Sequence, residues 1–318
     1  MNSTRQLAEA GIFAGILVVF MMGAFYLPII GQVMLFFLPL PIAVLAFKNK
    51  FSYSILAGII AAALSAMVVP FFYSFIMGLT AVLTGVPMGY LLKRSEDSFK
   101  VVLISGIGAI LALILSLWSM QLFLGTSFMD EIELMFSESV SMQQQLTDAA
   151  TSMGVDITET MNSYSAEMTS LFDAMRMMIP AAILVAGLAT AAGNFLMLHV
   201  VMRRMKTPLP PLGSFETFSY PKHLAYGSTG MIVLAYGVGY MGWVDVTVLT
   251  MNFINLFVTI FMIQGISLAY YYLKRQLGKG VSIAFIVMFM LTGLSYLMSL
   301  VGFVDVLTDF RKLRKAQE

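Results

Sequence analysis

The residues able to do chemistry inside this chain are few, and they are amides and hydroxyls. Thr190 and Asn194 stand one helical turn apart, so both can face one cavity. Asn252, Asn255 and Thr259 share another helical face, with Gln264 further along. Polar side chains inside long apolar runs are costly and default to functional hypotheses. Two readings stay open for them: hydrogen bonds between helices, worth about 0.6 kcal/mol each, or contacts to a ligand. Tyr26, Gln32 and Tyr73 lie where apolar runs end, and tyrosine offers an aromatic wall with a hydrogen-bonding tip. Covalent chemistry has no such foothold. There is no Cys, which excludes disulfides, thiolate metal sites and Cys nucleophiles, and His199 and His223 are too few for a His-rich metal site. No paired carboxylates, His-Glu-x-x-His helix or Gly-x-Ser-x-Gly elbow occurs in the apolar runs. Gly237, Gly239 and Gly242 match a dinucleotide fingerprint as a string, but they sit inside an apolar run rather than after a strand. The expectation is no catalytic residue, no metal, no cofactor and no enzyme activity.

Composition sets the surroundings of these residues. Hydrophobic residues make up 59% of the chain and charged residues 11%, with a mean hydropathy of +0.88; a soluble domain carries about 25% charged residues. A helix needs about 20 mainly apolar residues to cross the hydrocarbon core. Candidate spans are 7–27, 29–47, 51–69, 71–92, 101–124, 177–202, 226–243, 246–273 and 281–303. Runs this long without period-2 alternation argue for helices, since only helices or closed barrels satisfy their backbone in lipid. The first run leads into Tyr26-Leu27-Pro28 with no small-residue cleavage site, so an uncleaved first span is expected.

Charge then sets direction. Lys48 and Lys50 follow the second run, Lys93, Arg94 and Lys100 the fourth, Arg203, Arg204 and Lys206 the sixth, and Lys274, Arg275 and Lys279 the eighth. Basic residues are retained on the cytoplasmic side, so the N-terminus is expected there, in a multi-pass protein of the bacterial plasma membrane. Residues 126–176 hold nine of seventeen acidic residues and one of eighteen basic ones, Arg176. This segment falls between spans five and six and is expected outside, as amphipathic helices (Ile132, Met135, Phe136 and Val140 recur at helical spacing). Nine full crossings would put Arg311, Lys312, Arg314 and Lys315 outside too, against the rule. Either the tail breaks it or one run is re-entrant, the Pro-interrupted second and the last being the suspects.

Residues 207–223, with Pro208, Pro210, Pro211 and Pro221, read as a stiff cytoplasmic linker. It separates a six-span unit (1–206, including the acidic insertion 126–176) from a three-span region with a basic tail (224–318). Gly242-Trp243-Val244-Asp245-Val246 echoes Gly302-Phe303-Val304-Asp305-Val306, which would suit a repeated way of ending a span. On the first helix Ala10 and Ala14 are four apart, as are Gly11 and Gly15. Such spacing lets helix backbones approach closely, either within the chain or against a separate subunit.

Ala10-x-x-x-Ala14 resembles the Ala-x-x-x-Ala element of the substrate-binding S components of energy-coupling-factor transporters. So does the layout over the first 125 residues: Leu38-Pro39-Leu40-Pro41 in a short second span, Gly58 and an Ala-rich third, then Gly78-Leu79-Thr80-Ala81 into Gly85-x-Pro87. The whole chain, with its ending Gly302, Asp305, Asp309, Phe310 and Arg311, resembles the YybS-like family of uncharacterised bacterial membrane proteins. The resemblance implies a six-helix bundle that captures a small solute in outward-facing loops. It also implies coupling through Ala10, Gly11, Ala14 and Gly15 to a transmembrane subunit driven by ATPases.

The sequence thus predicts an all-α polytopic bundle of eight or nine transmembrane helices, its first six S-component-like, with an extracytoplasmic acidic helical insertion. Its surroundings are the lipid bilayer, and no nucleic-acid partner is expected. The functional expectation is binding or transport of a small, largely apolar or aromatic solute through Tyr26, Gln32, Tyr73, Thr190 and Asn194. The alternative is a non-catalytic scaffold or regulator that binds a protein through its acidic segment. A solute site needs a concavity of about 300 Å³ or more with convergent polar groups; a scaffold needs none. The topology is open to a direct check. In this Cys-free chain, a Cys at Ser139 should react with an impermeant maleimide in intact cells and a Cys at Ser95 should not; the reverse pattern would invert the topology.

Overall fold

The computed structural model describes residues 3–207, 209, 214–242, 245–292 and 294–311. Among these every regular element is helical: α1 (Ser3–Tyr26), α2 (Pro28–Phe36), α3 (Pro39–Lys48), α4 (Phe51–Ser65), α5 (Phe71–Lys93), α6 (Ser98–Leu124), α7 (Phe128–Ser152), α8 (Thr158–Arg204), α9 (Lys222–Tyr240), α10 (Val246–Leu291) and α11 (Ser295–Thr308), with one 3-10 turn at Phe215–Thr217. Six helical stretches are long and apolar enough to cross a membrane. The chain forms two compact units, one of Met1–Phe172 and Ala186–Pro210, the other of Asp173–Val185 and Pro211–Glu318.

In the first unit the helices alternate in direction, and side-chain contacts mark the two ends. At one end Asn49 donates to Glu9 Oε2 (3.0 Å) and Lys93 donates to the Asn49 carbonyl (2.7 Å). At the other, Tyr26 donates to the Val68 carbonyl (2.7 Å) and the rings of Phe71 and Phe123 meet edge to face. Lys48, Lys93 and Arg94 therefore gather at one end, and the acidic segment leaves from the other. The core is a stripe on α1, Ala10, Ala14, Leu17 and Met21, packed on Leu38, Ile42, Ala57, Ala61 and Met77. Gly11 and Gly15, about 100° further round, face outward, with nothing within 4 Å of where a Cβ would stand.

The second apolar run is not one helix. Pro39 and Pro41 have no N–H, α2 stops at Phe36, and Pro39 opens α3. Leu40 N–H turns to the Phe37 carbonyl (3.1 Å), which leaves the Phe36 carbonyl without its helical donor. Asn194 of α8 supplies one, its Nδ2 lying 2.9 Å from that oxygen.

Beyond α6, Gly125 takes a left-handed conformation and ends the helix. Ser127 and Asp130 then open α7 with a capping box: the Ser127 hydroxyl accepts from Asp130 N–H and the Asp130 carboxylate accepts from Ser127 N–H. Hydrogen bonding of the carboxylate with the Ser127 side chain, and then with its N–H, holds the Asp130 carboxyl below its usual range. α7 runs antiparallel to the start of α8, with Phe136 stacked on Phe172 at 4.3 Å and Gln143 donating to the Met161 carbonyl at 2.7 Å. α8 has 47 residues, about 70 Å at 1.5 Å per residue, far more than the hydrocarbon core requires. The hairpin is the part left over.

In the second unit Pro180 interrupts the backbone ladder of α8. Asn252 of α10 inserts there: its Oδ1 accepts from Ala181 N–H (2.8 Å) and its Nδ2 donates to the Met177 carbonyl (2.6 Å). One side-chain amide thus bonds both groups, one turn apart, beside the residue that has no N–H. α9 lies along α10, with Tyr220 N–H on Gln264 Oε1 just before its start and Gly239 against Val246 near its end. α11 packs on α10 through Gly265 and Gly302. A Cβ on Gly265 would overlap the Met298 carbonyl, and one on Gly302 would overlap the Phe261 carbonyl.

The last apolar run is also broken, and it folds back on itself. Helical geometry breaks at Gly278 (φ 76°, ψ 170°), a conformation glycine adopts without strain, and helix stops at Leu291 and resumes at Ser295. Neither 279–291 nor α11 has the length of a span. Lys274 pairs with Glu216 Oε2 (2.7 Å), while Arg311 donates to the carbonyls of Glu216 (2.7 Å) and Phe218 (2.8 Å). Both ends of 279–311 therefore lie at the Lys274 end of the second unit. Arg311 also pairs with Asp305 (2.8 Å), both side chains almost fully buried, and Gln264 donates to the same Asp305 oxygen (2.6 Å). The echo at residues 242–246 and 302–306 does not end two spans alike. Asp245 caps the start of α10, whereas Asp305 lies within α11. Most of the Pro-rich stretch, and Trp243, Val244, Lys312, Arg314 and Lys315, lie outside the described residues.

Three substitutions test this packing. Asp305→Ala strands a buried guanidinium and should cost about 3–5 kcal/mol, read as a large fall in melting temperature of the purified protein in detergent. Ala14→Leu overpacks the first unit and should cost about 1–3 kcal/mol, while Gly15→Leu, on the outer face, should melt as the parent does. Equal melting of the two α1 variants would place Ala14 outside the core.

Candidate functional site

The five residues expected to line a solute site fall into separate environments. Tyr26 and Tyr73 share one aromatic cluster at the end from which the acidic segment leaves: Phe25 lies 5.0 Å from the ring of Tyr26 and 5.2 Å from that of Tyr73. Both tyrosines are half-exposed, and the Tyr26 hydroxyl is committed to the Val68 carbonyl. Gln32 is exposed on α2. Thr190 donates back to the Ala186 carbonyl one turn earlier (2.8 Å). Asn194 is fully buried and gives both amide hydrogens to carbonyls, those of Phe36 and Thr190, each at 2.9 Å. With both N–H groups on carbonyls its orientation is fixed, and its Oδ1 is buried without a donor. Thr190 and Asn194 do share one side of α8, but that side packs against the break between α2 and α3.

A groove of about 390 Å³ lies elsewhere in the first unit, between α4 and α5. Ile55, Ile59, Ala62, Phe71, Phe75 and Val82 line it, and none of the five expected residues does. Its side chains are hydrocarbon throughout, so it can hold an apolar chain or ring but offers no side-chain hydrogen bond to orient one. The four expected docking residues also separate. Ala10 and Ala14 are buried in the core, which leaves Gly11 and Gly15 as the outward pair. The sequence sets Asn252 on a polar face of its helix, with Gln264 further along, but does not show what they serve, the backbone beside Pro180 and a buried ion pair. Pro180 was the available signal for the first; for the second there was none at short range, because Asp305 and Gln264 are 41 residues apart.

The remaining feature with recognition capacity is the hairpin of α7 and the start of α8. It carries most of the acidic residues of 126–176, and Leu134, Met135, Met142, Leu146, Tyr164 and Leu171 are all more than half exposed on it. Exposed apolar side chains set among carboxylates make this hairpin the candidate recognition surface of the described residues.

Comparison with known proteins agrees with the membrane architecture. The chain is 22% identical over 293 residues to the Uncharacterized protein YybS of Bacillus subtilis (strain 168), an alignment that covers 91% of each chain. No solved structure matches it. A family model described as predicted membrane protein (DUF2232) matches residues 15–306. With nearly its whole length matched, from α1 to α11, the chain belongs to the DUF2232 family of predicted membrane proteins.

Proposed function

We propose that this protein is a non-catalytic membrane scaffold or regulator that engages a protein partner through its acidic helical hairpin. The observation that carries the reading is the hairpin itself: α8 runs on well past the length of a span to hold an acidic, apolar-striped helix pair clear of the bilayer. The basic residues at the opposite end of the first unit set its direction. The N-terminus is cytoplasmic, in a bacterial plasma membrane, and the hairpin projects outside. The polar groups within the spans support the same reading, because Asn194, Asn252 and Gln264 are occupied with backbone and side-chain partners of the fold.

A second reading keeps the S-component-like role, with a small, largely apolar solute and a coupling subunit with its ATPases. The α4–α5 groove favours it, being of the size that small ligands occupy. In that case Gly11 and Gly15 are the docking pair on α1.

Photo-crosslinking in native membranes separates the two. A photoreactive residue at Ser139 or Ser163 on the hairpin should give discrete protein adducts, and one at the lipid-facing Ile107 should give none. The scaffold reading fails if the hairpin positions give no adduct while the purified protein carries a small molecule that Ala63→Phe, which fills the groove, removes.

A further inference from the structure

We infer that one flank of the hairpin is a docking groove for a cationic amphipathic helix of an extracytoplasmic protein. This rests on the partner-binding reading above and assigns it a face and a chemistry. Met135, Met142 and Leu146 on α7 and Met153 at its C-cap are 57% to 80% exposed. At about 100° per residue they fall within about 40° of one another around the axis. On α8, Tyr164 and Leu171, both exposed, form a second stripe seven residues long.

The side on which each stripe lies follows from the contacts that hold the hairpin. Phe136 and Gln143 mark the packed face of α7, Met161 and Phe172 that of α8. Each stripe is rotated from its packed face by about 80–90° in the same sense. In antiparallel helices, equal rotations of the same sense point to the same side of the pair. The two stripes therefore border one shallow groove, the seat that a third helix takes when it lays an i, i+3, i+4, i+7 apolar face on two others. Methionine suits such a seat, since its unbranched side chain adapts to the surface it meets.

Charge selects the occupant. Glu131 and Glu138 lie along the outer edge of the α7 stripe, and Glu167 along that of α8. The surrounding segment holds nine acidic residues and one basic one. A helix with Lys or Arg flanking its apolar face sets opposite charges against this rim, whereas a second copy or an anionic lipid surface sets like against like.

The test uses the full chain in phosphatidylcholine nanodiscs. Ser139 sits between the α7 stripe and the packed face, so Ser139→Cys carries an environment-sensitive fluorophore into the groove. The probe is a Leu/Lys peptide of about 18 residues, five helical turns, with Leu at alternating three- and four-residue spacing. A saturable spectral shift is expected. Binding should weaken about tenfold or more in Met142→Ser/Leu146→Ser and several-fold, with a shallower salt dependence, in Glu138→Gln/Glu167→Gln. Met135→Ser/Met153→Ser serves as a second stripe variant, and circular dichroism confirms that the hairpin stays helical. The inference is overturned if a peptide of the same composition with scrambled spacing binds as tightly, or if the stripe variants bind as the parent does. It is equally overturned if the protein dimerises and the stripe variants abolish the dimer, which would assign the face to a second copy. Failure of the partner-binding reading is seen separately, as peptide binding in nanodiscs without hairpin adducts in cells.

Discussion

Lipid offers no hydrogen bonds, so every backbone group that a break releases inside the bilayer must find a partner in the protein. This chain breaks its helices repeatedly, and the partners it uses are side-chain amides on neighbouring helices. Asn194 takes the Phe36 carbonyl where α2 gives way to α3. Asn252 joins Met177 to Ala181 beside Pro180. Gln264 takes Tyr220 N–H at the approach to α9 and steadies Asp305 in α11. An amide is suited to this because one end donates and the other accepts, so a single residue can close a gap in the ladder from both sides. It also carries no charge, which avoids the cost of placing an ion within the hydrocarbon.

The same constraint explains the buried Arg311–Asp305 pair. Arg311 leaves the end of α11 and enters a site made of the Glu216 and Phe218 carbonyls, Ser267 and Asp305. A lone guanidinium could not be buried there, but four acceptors, one of them the opposite charge, compensate its lost hydration. The fold-back of 279–311 follows. Gly265 and Gly302 let α11 lie close on α10, and the hairpin then returns Arg311 to the level of Lys274. Residues 279–311 thus double back rather than run on, and Arg311 and Lys274 share one end of the second unit.

Much of this was legible in the sequence because it is written at short range. Apolar runs of about twenty residues give the helices. The acidic segment announces itself by composition, and Ser127 with Asp130 three residues later is a helix start that can be read directly. The Pro39 and Pro41 pair marked the second run as unusual. What was not legible depends on residues far apart. Four-residue spacing on α1 could not say which of two small pairs faces inward; the Ala pair does and the Gly pair does not, a difference of one residue in register. The five polar residues expected around one cavity were chosen by type and depth. Depth along an axis does not fix azimuth between helices, and the aromatic pair and the α8 pair meet different neighbours.

These assignments bear on where recognition can occur. A polar residue within a span serves a ligand only if it is not already committed to the backbone, and removing it from the backbone to serve a ligand would leave a carbonyl or N–H stranded in hydrocarbon, at a cost of about 1–3 kcal/mol. Asn194, Asn252 and Gln264 are so committed. The α4–α5 groove has volume but no directional groups, so it can hold an apolar molecule without telling it from another of similar size. The hairpin of α7 and the start of α8 differs from both: Met135, Met142, Leu146, Tyr164 and Leu171 stand exposed there among carboxylates, so apolar area and charge, whose spacing can tell one helix from another, are offered on one surface.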